Sequence, residues 1–122
     1  MSKKILLVDD EADILKIVIL RLSKAGYEVT IAADGKEALD KAQKDKPDLI
    51  LMDYIMPVLD GMETCRILKK DNGLAHIPVI FMSASSSAIN AETVKSVGGS
   101  DYITKPFEFP DLFNKIQKLI KE

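Results

Sequence analysis

Asp9 and Asp10 follow the apolar run Ile5-Leu6-Leu7-Val8, and Asp53 follows Leu49-Ile50-Leu51-Met52. Ser83 follows Pro78-Val79-Ile80-Phe81-Met82, and Lys105 follows Asp101-Tyr102-Ile103-Thr104. Three carboxylates, a hydroxyl and an ammonium thus stand at the ends of short hydrophobic stretches. If those ends meet, the carboxylates repel one another, and a proton or a cation must relieve the repulsion. Hard oxygen donors with open positions suit Mg²⁺, which keeps several waters and shares a phosphate oxygen. Asp53 could then attack phosphorus and form an acyl phosphate. Lys105 can pair with one phosphoryl oxygen and Ser83 can donate to another, in a transfer that depends mainly on positioning and charge stabilisation.

Taken singly, each residue has an ordinary use. Asp9-Asp10-Glu11 can cap a helix, Asp53 can be a loop aspartate, Ser83 a polar strand end and Lys105 a solvated lysine. The chemical reading rests on all of them occurring together, at the ends of four apolar runs.

An alternation of apolar runs and helical patterns must position these residues. Ile5 to Val8 reads as a strand buried on both faces. A helix is predicted from about Ala12 to Lys24, rich in Ile, Leu and Val, with Gly26 as its stop. Glu28 to Ala32 reads as a less apolar strand, placed at an edge. Asp34 with Glu37, and Asp60 with Glu63, have the spacing of helix-capping pairs. Leu49 to Met52 and Pro78 to Met82 read as two further apolar strands. A helix from about Ala88 to Val97 is built from modest helix formers and stopped by Gly98-Gly99. Asp101 to Thr104 forms a short fifth strand. Pro110 opens a last helix with Leu112, Phe113, Ile116, Leu119 and Ile120 on one stripe.

Strict alternation with strands buried on both faces implies an α/β fold, a doubly wound five-stranded parallel sheet between two helical layers. Right-handed crossovers leave few strand orders. In a parallel sheet all strand ends share one rim, and ligands sit there where the order reverses. In the order 2-1-3-4-5 the first and third strands are neighbours, and Asp9, Asp10 and Asp53 converge.

The 122 residues suit one domain, taken as residues 1–122, with enough apolar content for one core. A formal charge of -2 gives no whole-chain basic field, so direct nucleic-acid binding is not expected. The first apolar run is too short for a signal peptide or a membrane span. The single cysteine, Cys65, excludes an internal disulfide and fits a reducing, cytoplasmic setting.

The chain resembles the CheY-like receiver domains of two-component systems over essentially its whole length. The motifs are Leu6-Leu7-Val8-Asp9-Asp10-Glu11, Asp48 to Asp53, Met56-Pro57 with Asp60-Gly61, Val79 to Ala84, and Lys105-Pro106-Phe107. The resemblance implies the flavodoxin-like order 2-1-3-4-5 and makes Asp53 the phosphoacceptor. It implies Mg²⁺, or Mn²⁺ in its place, held directly by Asp10 and Asp53 and by the backbone carbonyl of Ile55, with Asp9 acting largely through water. Lys105 and Ser83 assist the transfer, and Ser83 and Tyr102 form the switch. Lys105-Pro106 is often cis in the family. The donor is a sensor histidine kinase or a phosphotransfer protein, and the readout is a downstream target protein, with the domain a monomer or a phosphorylation-dependent dimer. Such a domain catalyses only its own phosphorylation and slow self-dephosphorylation. Two variants of the role are a relay intermediate and the receiver part of a longer regulator.

Two features depart from the family pattern. Gly98-Gly99-Ser100 replaces a Gly-Ala-acid run, and Ile55 and Ser85, at positions that tune self-hydrolysis, are neither acid nor amide.

Three other readings meet specific obstacles in the sequence. A flavodoxin-like cofactor binder needs a Ser-, Thr- and Gly-rich loop after the first strand, where this chain has Asp9-Asp10-Glu11. An aspartyl phosphatase carries a second acid two residues after its nucleophile, where this chain has Ile55. A pseudo-receiver lacks the acceptor or the acidic pair, and all three acids are present. His76 has no neighbouring ligand pattern, and Cys65 reads as core.

Overall fold

The computed structural model describes residues 2–54, 60–84 and 89–120. Ten elements alternate along the chain: β1 (Lys4–Val8), α1 (Ala12–Lys24), β2 (Glu28–Ala32), α2 (Gly35–Asp45), β3 (Leu49–Asp53), α3 (Gly61–Lys70), β4 (Val79–Ser83), α4 (Ala91–Ser96), β5 (Asp101–Thr104) and α5 (Phe109–Leu119). The strands form one parallel sheet in the order β2-β1-β3-β4-β5, the doubly wound flavodoxin-like arrangement.

Because side chains alternate across a strand, the apolar runs supply two cores at once. Leu6, Val8, Ile50, Met52, Val79 and Phe81 join the core that contains Ala38 and Ala42 of α2, Cys65 and Leu68 of α3 and Val94 of α4. Ile5, Leu7, Leu49, Leu51, Ile80 and Met82 join the core that contains Val18 and Leu22 of α1 and Leu112 and Ile116 of α5. Helices thus cover both faces, giving three layers.

Local chemistry sets the helix ends. The Asp34 carboxylate accepts from the Glu37 N–H at 2.8 Å, and Asp60 accepts from the Glu63 N–H at 2.9 Å. Glu37 reaches back to the Ala33 N–H, so the expected pairing at α2 is displaced by one residue. At α4 the structure differs from the sequence expectation. The described helix begins at Ala91, and Asn90 lies outside it as the N-cap, exchanging bonds with Thr93 in a reciprocal box. Asn competes for backbone partners and is better used at a cap than inside a helix. The expected start near Ala88 lies outside the described residues.

Two glycines matter for the rim. A Cβ on Gly61 would stand 2.6 Å from the Asp53 carbonyl oxygen and 3.0 Å from that of Tyr54. Only glycine lets α3 start this close to the end of β3. Gly98 has φ +81, a conformation that L side chains rarely adopt, and it turns the chain out of α4.

Candidate functional site

Parallel pairing aligns the carboxyl ends of the strands. Val8 pairs with Met52, and Asp53 with Met82, so Asp9 lies just past β1, Asp53 closes β3, and Ser83 closes β4 one residue beyond the partner of Asp53. Ser83 pairs with Thr104, and the Lys105 N–H donates to the Ser83 carbonyl at 2.7 Å, placing Lys105 on the same rim. The Lys105-Pro106 peptide is cis.

Each of Asp9, Asp10 and Asp53 offers a carboxylate oxygen, and these oxygens lie within 4.8 Å of one another. Asp9 is fully buried, Asp53 nearly so, and Asp10 is exposed. Lys105 Nζ donates to Asp9 Oδ2 at 3.0 Å and stands 3.4 Å from Asp53 Oδ2 and 3.7 Å from Glu11 Oε1. Burial, the largest single influence on this amine, favours its neutral form. The hydrogen bond to Asp9 and the charges of Asp53, Asp9 and Glu11 outweigh burial together and hold its pKa above the ordinary lysine value.

Three carboxylates thus face one ammonium, and with Asp10 beside them the excess negative charge sits on hard oxygens at an open rim. That donor set fits a small divalent cation with open positions. The backbone carbonyl of Ile55, expected as a further ligand, lies outside the described residues, as do Met56-Pro57 and Ser85. Ser83 is buried at the end of β4, and Tyr102 is half-buried against the α2–α4 core.

The structure therefore brings together Asp9, Asp10, Asp53 and Lys105, with Ser83 on the adjoining strand end. It also adds residues that sequence reasoning did not single out. Glu11 is the N-cap residue of α1, yet its side chain makes no capping bond and faces Lys105 instead. Its place between the acidic pair and a helix was the only available hint. Tyr54, next to Asp53, packs edge-on against Phe81 and donates to Met62 Sδ at 2.9 Å.

Residues 5–117 match the family described as response regulator receiver domain, and the chain belongs to that family. It is 36% identical over 121 residues to the alkaline phosphatase synthesis transcriptional regulatory protein PhoP of Bacillus subtilis, covering 99% of this chain and 50% of the relative. It is 42% identical over 120 residues to the probable transcriptional regulator ycf27 of Cyanophora paradoxa, covering 98% and 49%. The chain thus spans about half the length of the curated relatives it matches. Among solved structures, the chemotaxis response regulator CheY4 of Vibrio cholerae superposes with a TM-score of 0.90 at 35% identity, covering 98% of this chain and all of that one. The receiver domain of a sensor histidine kinase from Pseudomonas aeruginosa, with a magnesium ion coordinated in its active site cleft, superposes with a TM-score of 0.91 at 32% identity over the full length of both chains.

The protein is accordingly a receiver domain of two-component signalling, and its acidic cluster is compatible with a divalent cation. Among the described residues no helix is long and apolar enough to cross a membrane.

Proposed function

We propose that residues 1–122 form one phosphorylation-driven switch in which Asp53 accepts a phosphoryl group. The observation that carries this reading is the gathering of Asp9, Asp10 and Asp53 oxygens within 4.8 Å, with the Lys105 ammonium 3.4 Å from Asp53. The donor is a phosphohistidine on a sensor kinase or a phosphotransfer protein. Asp10 and Asp53 hold Mg²⁺, or Mn²⁺ in its place, with Asp9 acting through water and the Ile55 carbonyl completing the protein ligands. The bound cation supplies the charge neutralisation that lets an anionic donor approach an anionic nucleophile.

The chain's own residues do the rest. An Asp53 oxygen bonds to phosphorus as the donor's own bond to phosphorus breaks. Lys105 exchanges its contact with Asp53 for one with a phosphoryl oxygen, and the Ser83 hydroxyl donates to another. Ser83 is drawn inward and Tyr102 follows, which changes the face of α4, β5 and α5 that a downstream protein reads. Ile55 and Ser85 are neither acidic nor amide, and on that ground the phosphorylated form is long-lived.

Incubation with Mg²⁺ and acetyl phosphate tests the reading. One phosphoryl mass is gained, and Asp53→Asn or a chelator abolishes it. A phosphoryl group retained by Asp53→Asn overturns the assignment, and a phosphorylated half-life of seconds overturns the slow hydrolysis.

A second reading is favoured by the curated relatives, which are named as transcriptional regulators and are about twice as long. In it, the switch acts on a further domain of a longer regulator. Detection of the protein in its source cells at the size of a single domain would count against it.

A further inference from the structure

Glu11 has no part in the phosphoacceptor scheme, yet its position is unusual. It occupies the N-cap of α1, where Ser, Thr, Asp or Asn would serve better, and its side chain caps nothing. Its backbone N–H is held by Asp9 Oδ1 at 3.0 Å, which fixes the start of its side chain beside the acidic pair. Its carboxylate stands 3.7 Å from Lys105 Nζ while 59% of the side chain is exposed. Glu11 also lines, with Lys105, Pro106 and Phe107, an open groove of about 440 Å³ that leads away from the rim. It is therefore a solvent-facing negative charge at the entrance to a site that must admit a negatively charged substrate.

We propose that Glu11 is a specificity-determining residue that discriminates among phosphodonors by their charge, disfavouring free dianionic phosphates. This rests on Asp53 being the acceptor. Two effects act together. The carboxylate repels an incoming anion in proportion to its charge, and it competes with the phosphoryl group for the Lys105 ammonium. The second effect is the same for every donor, because the transferred group is the same. Only the first scales with the donor, so the ratio of rates between donors reports it. A donor presented on a partner protein brings binding energy that a free phosphate lacks and so overcomes the barrier more readily.

The test compares wild type, Glu11→Gln and Glu11→Asp at saturating Mg²⁺, with acetyl phosphate as the doubly charged donor and phosphoramidate as the singly charged one. Asp53 gains the phosphoryl group in both reactions. The P–O bond to acetate breaks in the first, and the P–N bond breaks in the second with ammonia leaving. A unit charge about 8 Å away, acting through a water-like dielectric, alters the approach of a monoanion roughly twofold and that of a dianion roughly fourfold or more. Glu11→Gln therefore accelerates acetyl phosphate at least about twofold more than phosphoramidate, and the difference fades at about 0.5 M salt, where charges are screened within a few ångströms. Glu11→Asp, which keeps the charge, restores the wild-type ratio.

Thermal unfolding midpoints of all three proteins should nearly agree, since no capping bond is lost and the Glu11 contact with Lys105 is long and open to solvent. Phosphorylated wild type with an unchanged donor ratio in Glu11→Gln, or a changed ratio that salt does not move, overturns this inference alone. No phosphoryl mass on wild type with either donor overturns the proposed function and this inference with it.

Discussion

Lys105 Nζ and Asp9 Oδ2 lie 3.0 Å apart although 96 residues separate them in the chain. Asp9 is fully buried and only 10% of the Lys105 side chain is exposed, so neither charge is repaid by water. The pair persists because the ammonium also faces Asp53 and Glu11. In the absence of a cation, Lys105 is what keeps the acidic rim from repelling itself.

Lys105→Met keeps the aliphatic length and removes the charge. In metal-free buffer it should destabilise the fold by about 3–5 kcal/mol, the usual consequence of stripping a buried carboxylate of its counter-ion. Because a cation and the ammonium neutralise the same carboxylates, millimolar Mg²⁺ should recover more stability in Lys105→Met than in wild type. Asp10→Asn should lose the Mg²⁺ response. Thermal unfolding with and without a chelator measures all three, and an equal Mg²⁺ response in Lys105→Met and wild type would sink the argument.

Gly61→Ala forces a methyl group against the Asp53 and Tyr54 carbonyl oxygens, at 2.6 and 3.0 Å. The start of α3 must retreat, costing about 1–3 kcal/mol and displacing the backbone of the acceptor. Both the urea midpoint and the phosphorylation rate should fall. Gly73→Ala, where the nearest atom is 3.4 Å away, is the control and should shift stability by no more than about 0.5 kcal/mol.

Burial in the α2–α4 core pushes the Cys65 thiol up to about 11, outweighing the opposite pull of the nearby Lys69 charge. An unfolded chain releases this proton near the ordinary thiol value of 9.0. Between these limits the unfolded state binds fewer protons, so unfolding becomes easier as pH rises. The contribution is present in full below about pH 9 and is lost by about pH 11, for a total of about 2–3 kcal/mol. Burial also lowers the pKa of Lys69, which works in the opposite direction over the same alkaline range. Cys65→Ala should therefore lose less stability than wild type between about pH 8 and about pH 11 in urea unfolding. In the folded protein Cys65 should resist thiol reagents at neutral pH.

Lys69 draws its ammonium onto the carbonyls of Ala75 and Ile77, at 3.0 and 2.5 Å, and its stem lies under Gly98. It ties α3 to the connection before β4. Lys69→Met should cost about 1–2 kcal/mol by leaving two carbonyls unmatched, with faster amide exchange over the connection between α3 and β4. Unchanged exchange there would refute the tie.

Tyr102→Ala should leave phosphorylation of Asp53 intact and remove its effect on partner binding, measured as the affinity ratio between phosphorylated and unmodified protein. Retained coupling would exclude Tyr102 as the relay.

Much of the fold was legible because the strands are buried on both faces. Leu49 to Met52 has no polar interruption, and that alone marks a central strand with Asp53 at its end. Asp34 and Asp60 announced their helices by local bonds three residues long. The rest depended on distances that no local pattern encodes. Glu11 reads as part of an acidic cap until strand register brings the end of β5 beside it. Asn90 reads as a poor helix residue until the chain is seen to use it as a cap. Nothing in the residues around Lys69 marks the two carbonyls, six and eight positions on, that the fold turns toward it.

Asp53 is itself a rung of the ladder, paired to Met82, and its neighbour Met52 is paired to both Val8 and Phe81. Asp53 is thus fastened to the sheet's centre, whereas Lys105, which faces it, follows β5, a four-residue strand at the sheet's edge. Any strain that reaches the sheet from its edge therefore displaces the ammonium before it displaces the carboxylate.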